Sequence, residues 1–250
     1  MRIEWIIEPQ EITQVQALVA THRNNPFVQD RIKRNLCLEK RPVERDEFWR
    51  RHVGCLLTSI RKVGPGTPFS QFMATKPFPL SLQLCSNSAD VAALALAELR
   101  KADLLWRASV VSGEIATNLK FLKDHGWEHI HTHLEKVRTQ SSPEIERAAA
   151  NFLADNLKGF GPKQSRNLLQ ALGLSKYEIP IDSRITRWLN DFGFPFKLTA
   201  SALGDRHYYS FVSSGFQQLA AACEVEPCVL DAVIFASYDG DGWTAENVSG

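Results

Sequence analysis

The chain has 250 residues, of which 44% are hydrophobic and 23% charged, and its formal net charge is +1. This is the composition of a globular chain long enough for one large core or two lobes, and it excludes extended disorder and repeat arrays. The near-zero charge excludes a globally basic nucleic-acid binder, so any DNA contact must rest on a local patch and on backbone groups.

Residues 1–42 read as an N-terminal segment packing on a core formed by residues 43–250. Within it, Arg2 to Ile7 has the pattern of a short strand and Glu11 to His22 that of a helix. Arg31, Lys33, Arg34, Lys40 and Arg41 form a basic stretch of either loop or helix. From Val43 to about Lys62, Phe48, Val53, Leu56, Leu57 and Ile60 follow a helical stripe. Glu44, Asp46 and Glu47 sit near its start, where the helix dipole favours negative charge. Gly64-Pro65-Gly66-Thr67-Pro68 ends that helix, and the segment to Ser88 reads as a long connection lying on the core.

Asn87 or Ser88 is then the expected cap of a helix at 89–102, followed by a second at 103–124 that His125-Gly126 stops. Further helices are expected at 127–139 and at 143–157, the latter with Ser142 as cap and Pro143 at its first position. The rest fall at 162–173, 182–192, 205–225 and 227–238. Strand-like alternation is nearly absent after residue 40, so the chain is mainly all-α. Trp106, Trp127 and Trp188 occupy apolar helical positions and are expected in the core.

Potential metal ligands do not fall into metal-binding patterns. Cys37, Cys55, Cys85, Cys223 and Cys228 are scattered, without a C-x-x-C pair, which argues against a disulfide framework or a structural metal and for a reducing compartment. His125, His129, His131 and His133 include i, i+4 pairs, but lack the glutamate beside the first histidine that a zinc-protease helix carries; they read as a solvated face. The N-terminus has no charged-then-apolar leader, and no apolar run reaches about 18 residues, so neither secretion nor membrane spanning is expected and the setting is the cytoplasm, nucleoid-associated if the chain binds DNA, or another intracellular site.

The most informative stretch is Leu157-Lys-Gly-Phe-Gly-Pro-Lys163 followed by Ile179-Pro-Ile-Asp182. A helix N-terminus leaves backbone N–H groups without internal partners, and glycines before it let an anion approach closely. Pro162 removes one of those orphan donors and presets the helical backbone. The two helices and the Gly-Phe-Gly turn over residues 153–173 therefore read as a helix-hairpin-helix that grips phosphates without reading sequence, the alternative being a plain glycine turn between packed helices with Phe160 as a core plug. Lys163 reads either as a phosphate contact or as an amine nucleophile, since the positive end of the helix dipole favours the neutral amine. Asp182 reads as a helix cap, a role compatible with catalysis because a capped carboxylate is held in place.

Together these segments resemble the helix-hairpin-helix base-excision DNA glycosylases. The lysine at the hairpin and its spacing to the aspartate are similar to the 8-oxoguanine DNA glycosylase/AP lyase branch of archaeal type. Phe48 to Ser59 and the run from Leu230 to Ser237 extend the resemblance. It implies two helical lobes with a DNA-binding cleft between them. It also implies excision of an oxidised purine from damaged double-stranded DNA, with Lys163 forming a Schiff base and Asp182 as its electrostatic partner. Lys158, Gly159, Gly161, Gln164 and Arg184 become the expected DNA-backbone contacts, with Arg61, Lys62 and the loop to Phe69 as a wedge into the base stack. The resemblance implies a monomer without an iron–sulfur cluster or other cofactor, apart from a monovalent cation that the hairpin can hold. Two other readings stay open: a noncatalytic helix-hairpin-helix DNA-binding protein, and a single-function glycosylase that uses water.

Overall fold

A computed structural model describes residues 4–37, 39–58, 64, 66–239 and 242–244, and among them there is no β-strand. Helices α1 (Pro9–His22) and α2 (Pro26–Asn35) come first, the second capped by the Asn25 side chain. Helix α3 (Arg45–Thr58) follows, at the position the apolar stripe predicts. The long connection expected up to Ser88 instead contains two short helices, α4 (Pro68–Ala74) and α5 (Leu82–Asn87), capped by the hydroxyls of Thr67 and Ser81. Pro68 opens α4, and Pro77 and Pro79 lie between the two helices, where they break nothing.

Helix α6 (Val91–Lys101) is capped by Asp90, which accepts the Ala93 N–H at 2.9 Å, and not by Asn87 or Ser88, since Asn87 ends α5. Helix α7 (Ala108–Phe121) starts five residues later than expected because Asp103 and Arg107, both at positive φ, bracket a tight turn before it. The chain kinks at Asp124 and His125, the latter at φ 69°, where His125-Gly126 is expected to stop the helix, and then come α8 (Trp127–Thr139), α9 (Pro143–Asn156) and α10 (Pro162–Ala171). Then follow α11 (Ser183–Phe192), α12 (Arg206–Ala222) and α13 (Pro227–Asp239).

Helices α3 to α10 share one apolar core in which Phe48, Trp49, Leu56, Leu57, Ile115 and Leu168 are fully buried. Each such side chain contributes about 1.5–3 kcal/mol on leaving water. A second core joins α1 to α11, α12 and α13 through Val15, Ile185, Tyr209, Phe216 and Ile234. The first residues described belong to this second lobe: the Trp5 ring lies so close to Gly215 that a Cβ there would meet it at 2.7 Å. Residues 9–35 thus pack on the C-terminal helices to complete one lobe, while α3 to α10 form the other.

Trp127 and Trp188 pack against the two cores, but Trp106 is 66% exposed, because it falls in the turn between α6 and α7 and not on a helix. His125 and His129 are exposed, while His133 stacks on Phe152 at 4.1 Å.

Candidate active site

The hairpin forms as its residues dictate. Helix α9 starts at the Ser142 cap, with Pro143 at its first position, and Pro162 opens α10 behind Gly161. Gly159 has φ +81°, a conformation open to glycine without strain, and a Cβ there would meet Leu56 and the Glu114 carboxylate at 2.6 Å. The first backbone bond of α10 runs from Ser165 N–H to Gly161 C=O at 3.1 Å, which leaves the Lys163 and Gln164 N–H groups ahead of the helical ladder. Lys158 is exposed on this turn. Gln164 points inward: it is 7% exposed and its amide donates to the Cys55 carbonyl at 2.8 Å, tying α10 to α3.

Lys163 and Asp182 line one cleft of 1190 Å³ between the lobes, together with Gly161, Gln164 and Arg184. Lys163 belongs to the first lobe through α10, and Asp182 begins the second as the cap of α11. Asp182 Oδ1 accepts the N–H groups of Arg184 at 2.8 Å and Ile185 at 3.0 Å, while Oδ2 lies 3.2 Å from the Arg184 guanidinium. The Cys55 thiol below Lys163 is pushed up to about 12 by burial, against the pull of Lys163 and Arg51, so it stays protonated and offers no competing nucleophile.

The loop that delivers Asp182 is held by buried carboxylates. Glu146 on α9 accepts the N–H groups of Lys176, Tyr177 and Glu178 at 2.8–2.9 Å. Burial pushes its carboxyl up in spite of those donors. Glu178 is itself paired with Arg166 at 2.6 Å and Arg147 at 2.9 Å. The Tyr209 hydroxyl accepts the Ile181 N–H at 2.7 Å and donates to the Ile179 carbonyl at 2.9 Å, which clamps the backbone on both sides of Pro180.

Sequence reasoning missed the far wall. Phe27 and Phe235 stack at 4.4 Å, Trp243 lies 5.0 Å from Phe27, and the Arg184 guanidinium sits 4.1 Å over Phe235. Behind them Arg31 pairs with Asp231 at 2.6 Å, and Gln170 donates to the same oxygen at 2.8 Å. Burial raises the Asp231 carboxyl; Arg31 opposes this, and the charge of Asp182 adds to it. One charged residue in the apolar run Cys228–Ala236 was the available signal for this wall. Arg61 and Lys62 lie outside the described residues. Among the described residues no group of three or more His, Cys, Asp or Glu is placed to hold a metal, and no helix is long and apolar enough to cross a membrane.

No protein-family model matches the chain. Over 99 residues it is 31% identical to the 8-oxoguanine DNA glycosylase/AP lyase of Thermoplasma volcanium, a match covering 40% of this chain and 46% of that relative. The matched region is thus less than half of the relative's length.

Three solved structures share the fold. The 8-oxoguanine DNA glycosylase of Methanocaldococcus jannaschii superposes with a TM-score of 0.65 at 16% identity, over 94% of this chain and 96% of that one. The glycosylase/lyase of the same organism, in complex with 15mer DNA containing 8-oxoguanine, gives 0.67 at 16% identity over 92% and 100%. The Thermotoga maritima 8-oxoguanine DNA glycosylase gives 0.65 at 14% identity over 94% and 99%. The chain has the helical fold of the 8-oxoguanine DNA glycosylases.

Proposed function

We propose that the protein excises an oxidised purine such as 8-oxoguanine from duplex DNA and then cleaves the abasic strand. The observation that carries this reading is the placement of Lys163 and Asp182 on opposite lobes of one cleft, beside a phosphate-gripping hairpin. The named activity of the Thermoplasma volcanium relative and the fold shared with a lesion–DNA complex support it.

In this mechanism the damaged nucleotide leaves the stack and its base enters the cleft against the Phe27, Phe235 and Trp243 rings. The Lys163 amine attacks C1′ of the sugar, the bond from C1′ to the base breaks, and the base departs with the bonding electrons and takes up a proton. Asp182, fixed by the two N–H groups it accepts, stabilises positive charge as it develops on the sugar. Opening of the sugar ring leaves an imine between Lys163 and C1′. Loss of a C2′ proton then expels the 3′ phosphate by elimination.

The hairpin N–H groups hold the backbone beside the lesion, with Lys158 and Arg184 as flanking cations. In this reading the exposed Trp106 contacts the duplex beside the hairpin. It projects from a turn whose Arg107 lies 3.8 Å from Glu114, the carboxylate set against Gly159 of the hairpin. Release of free base from a panel of lesion-containing duplexes tests the substrate: 8-oxoguanine should be released far faster than undamaged guanine, and equal inertness towards every lesion would overturn the reading.

A further inference from the structure

Two polar side chains outside the cleft are wholly buried against the hairpin: His52 on α3 is 0% exposed and Asn118 on α7 is 1% exposed. Asn118 engages both main-chain groups of Lys158. Its Oδ1 accepts the Lys158 N–H at 2.7 Å, and its Nδ2 donates to the Lys158 carbonyl at 2.9 Å. The remaining hydrogen of that amide points at His52 Nε2, 2.8 Å away. The acceptor role requires a neutral imidazole with its proton on Nδ1, and burial drives the group that way by lowering His52 to about 3. The His52 ring also stacks on Phe160 at 5.2 Å, 8° from parallel. Two helices of the first lobe thus grip the turn at the residues on either side of Gly159.

We infer that Asn118, oriented by His52, is the positioning residue that holds the hairpin in its phosphate-binding conformation. A glycine turn left to itself samples many backbone states, and a site made of main-chain N–H groups binds only when they converge. A buried amide that occupies both polar groups of Lys158 removes that freedom, and it leaves the chemistry at Lys163 to other supports. The inference rests on the proposed DNA-binding role of the hairpin.

The test compares wild type, Asn118→Ala and His52→Phe, the last keeping the stacked ring without the nitrogen acceptor. Binding to an abasic-site duplex is measured across a salt series, alongside strand cleavage under single-turnover conditions at saturating DNA. Asn118→Ala should weaken binding about tenfold or more and reduce the slope of log Kd against log salt by about one phosphate contact. Cleavage at saturation should stay within about threefold of wild type, and His52→Phe should shift binding in the same direction by less. Binding and salt slope equal to wild type, or a loss of cleavage at saturation matching the loss of binding, would overturn the assignment. Should Asn118→Ala fail to fold, His52→Phe is judged by the same two criteria. Failure of the wild-type protein itself to bind the duplex would sink the functional reading instead.

Discussion

Arg166 and Glu178 form a fully buried ion pair, 2.6 Å apart, that joins the helix bearing Lys163 to the loop ending at Asp182. The two candidate catalytic residues come from different lobes, and this pair, with Arg147 as a second partner for Glu178, sets one against the other. Removing Arg166 strips the buried Glu178 carboxylate of its closer ionic partner and leaves it the partly exposed Arg147. Arg166→Met should therefore cost about 3–5 kcal/mol in chemical denaturation. A variant as stable as wild type would show that the pair does not brace the cleft.

Asp182 combines a capping role with a catalytic one, and the two separate on substitution. Asparagine caps helices about as well as aspartate, so Asp182→Asn should change stability by less than about 1 kcal/mol. Loss of the negative charge should slow base excision by about 100-fold or more. Equal losses in melting temperature and activity would mean that the residue is only a cap.

His52 ties stability to pH. Its folded-state value, about 3, lies below its ordinary 6.5, so the unfolded chain takes up the proton first. The stabilisation is complete above pH 6.5 and is lost as pH falls from there towards 3, on the order of a few kcal/mol in all. Glu146 and Asp231, both raised by burial, bind protons more readily when folded and contribute the opposite slope at acid pH. The difference between wild type and His52→Phe isolates the histidine. In urea titrations from pH 7 to pH 4, the wild type should lose more stability than the variant.

The parts of this architecture readable in the sequence are those set by neighbouring residues. The Gly159–Gly161 turn, the Ser142-Pro143 start of α9, the Asp182 cap and the Gly193 stop, at φ 102°, are each fixed within a few positions. The bonds that orient the site join distant segments and leave no local pattern. Glu146 reaches a loop 30 residues on, Asn118 reaches Lys158, and Arg31 meets Asp231 across 200 residues. Gln164 shows the converse difficulty: its place beside Lys163 suggests a backbone contact, yet one position further round the helix turns its amide inward to Cys55. Trp106 read as core because its neighbours are apolar, but two left-handed residues end the helical register around it.

Trp106→Ala removes a side chain with little packing, so its stability should lie within about 0.5 kcal/mol of wild type. Stacking on a base is worth about 1–3 kcal/mol, so binding to a lesion-containing duplex should weaken by about tenfold. Unchanged affinity would remove Trp106 from the interface.

A covalent bond from Lys163 to the sugar separates this mechanism from attack by water. Borohydride reduction during incubation with an abasic-site duplex traps such an imine as a stable protein–DNA adduct. The wild type should give the adduct, and Lys163→Gln should give none while still binding the duplex. An adduct that persists in Lys163→Gln, or its absence from the wild type, would exclude Lys163 as the nucleophile.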